Sequence, residues 1–146
     1  MSTHSTITAK TSGGTFKTIY CHGDGYPSGV GATLIAHYTD QAKIDALMEL
    51  GDLNYLEAEC SAPDGHSYAQ PVNGYSVAYG CDRGETDVGA TEGATAKEAQ
   101  DAKGDLGQSF AYVWDGDVWT VLDCGMDGLN PVPVSDAIVD EEDAQD

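Results

Sequence analysis

The chain has 146 residues, of which 25 are acidic and six basic, for a net charge of −19. That is the length of one domain with room for a core that needs no disulfide or metal staple. The charge excludes direct binding to nucleic acid or an anionic lipid surface, and without a run of 18 apolar residues no membrane span is expected.

Ser5 to Lys10 (S-T-I-T-A-K) is short and β-branched, Thr11-Ser12-Gly13-Gly14 is a turn, and Thr15 to Cys21 (T-F-K-T-I-Y-C) alternates. Together they predict an N-terminal hairpin. The glycine-rich stretch His22 to Gly31 excludes a regular strand and predicts a loop feeding a helix from about Ser28 to Tyr38. Thr39 or Asp40 can cap a second helix, Gln41 to Leu50, whose Ile44, Leu47, Met48 and Leu50 recur at helical spacing before Gly51. Asp52 to Leu56 reads as a short turn, and residues 57–74 as irregular.

Tyr75 to Cys81 (Y-S-V-A-Y-G-C) predicts a third strand segment, and Thr95 to Lys103 a short helix in an otherwise weakly patterned stretch. Phe110 to Trp114 and Val118 to Leu122 flank Asp115-Gly116-Asp117 and form the clearest hairpin in the chain. Ser135 to Asp146 holds six acids and no aromatic or basic residue, which predicts a disordered acidic tail after a single domain of residues 1–134. The expected fold is α+β. An antiparallel sheet of about five strands, two hairpins plus one strand, carries a helix pair on one face.

Two stretches hold the side chains that could do chemistry. In Tyr20-Cys21-His22-Gly23-Asp24-Gly25-Tyr26 a thiol, an imidazole and a carboxylate fall within four residues of a glycine-rich turn. These are metal-ligand types, and a thiol beside a histidine can be a nucleophile. Yet Cys21 and His22 point apart if the strand persists, and no C-x-x-C pair accompanies them. The glycines lack the lysine of a phosphate loop. The other reading is a structural strand-to-helix turn, with His22 and Asp24 hydrogen-bonding exposed backbone groups.

In Tyr79-Gly80-Cys81-Asp82-Arg83-Gly84-Glu85 the chain's only arginine sits between two acids. Arg83 could grip an anionic group, or brace the loop by a two-pronged pair with Asp24. The candidate binding surface is therefore Tyr20, His22, Asp24, Gly25, Tyr26, Tyr79, Asp82, Arg83 and Glu85. No catalytic residue, metal or cofactor is assigned. Cys21, Cys60, Cys81 and Cys124 read as buried thiols.

At these two stretches the chain resembles a family of small proteins of tailed phages and archaeal tailed viruses. Its members carry a hairpin leading into Y-C-H-W-D-G-Y, then H-Y, L-x-x-L-G-D, A-Y-x-x-D-R-G-E and an aromatic hairpin. The matching stretches are Tyr20 to Pro27, His37-Tyr38, Leu47 to Asp52, Ala78 to Glu85 and Phe110 to Trp119, within about residues 3–122. Gly23 stands where that family usually has tryptophan. The resemblance implies a viral accessory protein in the host cytoplasm and supplies no reaction. The expected partner is a host protein or a small ligand. A small enzyme using the Cys21/His22/Asp24 turn and an acidic DNA mimic remain as alternatives. The spread of acid along the chain also fits a salt-adapted proteome.

Overall fold

The computed structural model describes residues 3–59, 76–78, 89–104, 108–124 and 130–144. The first hairpin pairs β1 (Ser5–Lys10) with β2 (Phe16–Cys21), setting Ile7 opposite Ile19 and Ser5 opposite Cys21. After it come a π-helical turn, Pro27–Gly31, then α1 (Ala32–His37) and α2 (Gln41–Leu50). The Asp40 side chain accepts from the Ala42 N–H at the start of α2, and Gly51 ends the helix at φ 77°, a conformation that favours glycine. Short strands β3 (Leu53–Tyr55), β4 (Val77–Ala78) and β5 (Thr91–Gly93) follow, then α3 (Ala96–Lys103). The second hairpin pairs β6 (Phe110–Trp114) with β7 (Trp119–Asp123), and β8 (Val132–Pro133) leads into α4 (Val134–Ala144).

The fold is α+β, as expected, but the sheet is mixed and has more than five strands. Its order is β4-β3-β2-β1-β6-β7-β8, with β5 also pairing β2. Both hairpins are internally antiparallel, because a tight turn dictates that. They join through a parallel β1–β6 contact, and β2 meets β3 in parallel as well. The reason is visible in β1, where five of six residues are fully buried. A strand covered on both faces belongs in the middle of a sheet, so the second hairpin docks along its free edge.

One sheet face carries Ile7, Ile19, Cys21, Tyr112, Trp114, Trp119 and Val121, packed with Val30, Leu34 and Tyr38 and with Ile44, Leu47 and Met48 of α2. The helix pair thus covers one face as predicted, and Ile44, Leu47 and Met48 are buried. The opposite face is more polar. There Thr8 and Thr18 share a buried 2.8 Å hydrogen bond, and α3 inserts Ala99 beside β2 and β5.

The acidic tail corrects the expectation of disorder, since Val134–Ala144 is helical. Val134 is buried, and Ala137 and Ile138 pack against the core. These three positions have i, i+3, i+4 spacing, an apolar stripe that the surrounding acids hid. Deleting the chain from Ser135 onward should therefore cost about 1–2 kcal/mol, roughly one partly buried aliphatic side chain. Denaturant titration in concentrated KCl, where the deleted charge is screened, would read the loss. An unchanged midpoint would show that the helix contributes nothing.

Candidate functional site

The end of β2 and the turn after it are built around alternation. Cys21 faces the core while Tyr20 and His22 share the opposite face, as the strand pattern demands. Continuing the hairpin register by one pair sets His4 across from His22, and the two imidazoles stack with centroids 4.4 Å apart. The Tyr20 hydroxyl lies 2.9 Å from His22 Nδ1, and its ring is tilted against His4 at 5.8 Å. His4 Nδ1 donates to the His22 carbonyl at 2.7 Å. Because a carbonyl can only accept, that nitrogen carries hydrogen.

The cluster is held from several directions. The backbone N–H groups of His22 and Gly23 donate to the carbonyls of Leu53 and Asn54 at 3.0 and 2.8 Å, and Ser109 N–H donates to the His4 carbonyl at 2.9 Å. The Tyr20 N–H donates to Asp52 at 2.9 Å. Asp52 in turn meets the Lys103 ammonium of α3 at 2.6 Å. Burial first, then the neighbouring Cys21 and Asp52, raises the Tyr20 phenol above its ordinary value, so its hydroxyl stays protonated at neutral pH.

The turn itself is pinned. Asp24 is the one non-glycine with positive φ among the described residues, at 55°, and its carbonyl accepts from Val30 N–H at 2.8 Å. Gly25 is buried between strands. Its N–H donates to Thr3, and its carbonyl accepts from the Tyr112 hydroxyl at 2.6 Å. A Cβ on Gly25 would stand 2.8 Å from the Thr3 oxygen and 2.9 Å from the His4 carbonyl carbon, which is why only glycine fits. Tyr26 is exposed, with its hydroxyl 3.4 Å from the Asp24 carboxylate.

This geometry separates the groups that the sequence placed side by side. Cys21 has no exposed surface and its thiol donates to the Gly23 carbonyl at 3.6 Å. Burial is the main force pushing that thiol up to about 12, so it carries no thiolate at neutral pH. His22 faces the other side of the sheet, and the Asp24 carboxylate turns to Tyr26. No nucleophile–base pair forms from Cys21, His22 and Asp24. Among the described residues no three metal-ligand side chains converge. Cys124 is exposed rather than buried.

Of the predicted surface, Tyr20 and His22 are in contact, and Asp24, Gly25 and Tyr26 form the adjoining turn. Tyr79, Asp82, Arg83 and Glu85, and with them the Arg83–Asp24 pairing, lie outside the described residues, as do Cys60 and Cys81. No known family, curated protein or solved structure matches the chain. The viral resemblance therefore rests on the motifs quoted above, and function has to be argued from the geometry.

The sequence reading missed His4, whose signal was available in the hairpin register. It also missed a cleft of about 430 Å³ on the same face, between α3 and strands β1, β6 and β7. Thr6, cross-strand from Tyr20, walls that cleft together with Gln100 and Gln108, over Ala111 and Leu122. Cys124 stands at its margin.

Proposed function

We propose that this is a viral accessory protein that acts by binding a host protein or a small ligand inside the infected cell, and that the His4–Tyr20–His22 face is where it binds. The observation that carries the reading is the adjacency of a rigid aromatic–imidazole cluster to an open cleft, joined through the Thr6–Tyr20 pair. The cleft has the size of a small-molecule site, and its apolar floor with a few polar walls suits a small polar ligand. Hydrogen bonds hold the rings in place before any partner arrives, which reduces the ordering cost of binding. Host cytoplasm is the proposed location, from the viral resemblance.

The test is capture from host-cell extract by the immobilised protein, with mass spectrometry of both the proteins and the small molecules released. A species held by the wild type should fall at least about tenfold with His4→Ala/His22→Ala, the loss expected when central contacts go. Circular dichroism should show the fold retained. Equal capture by the variant would remove this face from the function.

We also propose that the acidity is an adaptation to salt. The chain has six lysine and arginine side chains for 25 acids, so most acids have no cation to pair with. Self-repulsion on that scale destabilises a compact state until it is screened. Tm should rise from dilute to concentrated KCl, and a flat Tm across that range would remove the argument.

A further inference from the structure

The opposite end of the sheet carries a second surface. Ser5 pairs with Phe110 at one end of the β1–β6 contact and Ala9 with Trp114 at the other, so the tip of the second hairpin is far from the histidine cluster. There an open groove of about 270 Å³ runs between α1, the hairpin tip and the start of α4. Ile35, Trp114, Val118, Trp119, Pro133 and Val134 line it. Ile35 is 37% exposed and Val118 48%, although a domain with this much charge has ample polar surface to place there.

The rim is acidic. Asp117 lines the groove, and exposed Asp40, Asp115 and Asp136 adjoin its lining residues in sequence. Among the described residues no lysine, arginine or histidine lines it. Lys10 stands near the hairpin tip, with its aliphatic stem beside Gly116. The indole N–H groups of both tryptophans are already committed inward, Trp114 to Gln41 at 3.0 Å and Trp119 to the Tyr38 carbonyl at 2.7 Å. The rings are fixed, and what the groove offers is apolar surface.

We propose that this groove is a docking site for a basic amphipathic protein segment, whose apolar side chains enter between Val118 and Ile35 while its lysines or arginines meet Asp117 and the negative field of the molecule. Charge complementarity selects the occupant. A second copy of the chain would bring two surfaces of net charge −19 together, which like-charge repulsion opposes. A cationic segment with apolar anchors is attracted over distance by the whole molecule and held locally by the groove. The inference is independent of the histidine face and extends the binding role to a separate partner surface.

The chain contains two tryptophans, and both line the groove, so intrinsic fluorescence reports its occupancy. The probe is an amphipathic Leu/Lys peptide of about 14 residues, long enough to present one apolar face as a helix. It should shift the tryptophan emission saturably. Its affinity should fall at least about tenfold in Val118→Asp/Ile35→Asp and for a Lys/Gly peptide of equal charge that has no apolar anchors. Both substituted residues are exposed, and an unchanged Tm confirms that the variant is folded. A Leu/Glu peptide should leave the emission unchanged, and His4→Ala/His22→Ala should respond like wild type. An absent shift, an equal affinity in the groove variant, or an equal response to the Lys/Gly or Leu/Glu peptide would overturn the proposal. So would emission that changes with protein concentration alone, accompanied by a dimer in sedimentation, since a second copy would then be the occupant.

Discussion

Replacing Leu47 with alanine should destabilise the protein by about 2–5 kcal/mol, the range for a fully buried leucine truncated in a packed core. Leu47 has no exposed surface and belongs to the cluster that joins α2 to the sheet. Its neighbours Ile44 and Met48 on the same helix face are also buried. They are held by a helix that is capped at both ends, so the gap left by the truncation cannot collapse easily. The exposed Glu49 beside it is the control, and Glu49→Ala should stay within about 0.5 kcal/mol. Denaturant titration at fixed high salt separates the two. A loss for Leu47→Ala below about 0.5 kcal/mol would mean that α2 does not pack through this residue.

That α2 was legible and the sheet order was not has a physical basis. The helix is announced by local features, namely the Asp40 cap, the 3–4 spacing of Ile44, Leu47 and Met48, and Gly51. Both hairpins are announced by their turns. What lies beyond a turn is decided by burial. That the free edge of β1 receives the second hairpin depends on Thr6 and Thr8 being covered on the face opposite Ile7, and β-branched polar residues do not declare that in sequence. Strands β3, β5 and β8 are two or three residues long, too short for alternation to show. In the acidic helix, Val134, Ala137 and Ile138 were outvoted by composition, although their spacing was readable. At the candidate site Tyr20 and His22 were legible as a motif. His4 needed only the register of the hairpin, while the cleft beside Thr6 needed the position of α3, which no local feature fixes.

The L-x-x-L-G-D stretch shows how a motif that looked like a signature becomes a set of separate physical tasks. Leu47 fills the core and Leu50 packs at its margin. Gly51 takes the positive φ that ends the helix. Asp52 then sits where its carboxylate can accept from the Tyr20 N–H and meet Lys103. The motif thus ties α2 to the end of β2, where the histidine cluster stands, and ties both to α3. The proposed binding face is braced by this junction as well as by the glycine-rich turn.

Lys103→Met should accordingly cost about 1–3 kcal/mol, the range for leaving a largely covered polar group without its hydrogen-bonded partner. The ammonium lies 2.6 Å from Asp52, with the two side chains 8% and 14% exposed, and it also donates to the Gly89 carbonyl at 3.0 Å. Methionine keeps most of the volume and the unbranched stem, so the measured loss is that of the charge and its hydrogen bonds rather than of packing. Afterwards Asp52 retains the Tyr20 N–H but lacks its cation in a largely covered junction, while the Gly89 carbonyl loses its donor. The exposed pair Lys97–Asp101, whose side chains are 82% and 66% exposed, provides the contrast, and Lys97→Met should change stability by well under about 1 kcal/mol. A double-mutant cycle of Lys103→Met with Asp52→Asn should return a coupling of at least about 1 kcal/mol, as contacting residues do, because each single change already forfeits the shared interaction. Denaturation midpoints in concentrated KCl, where exposed pairs are screened and a largely covered one is screened much less, would measure both terms. A coupling near zero would show that Lys103 and Asp52 contribute independently, and that α3 is held to the end of β2 by Ala99 and its apolar contacts alone.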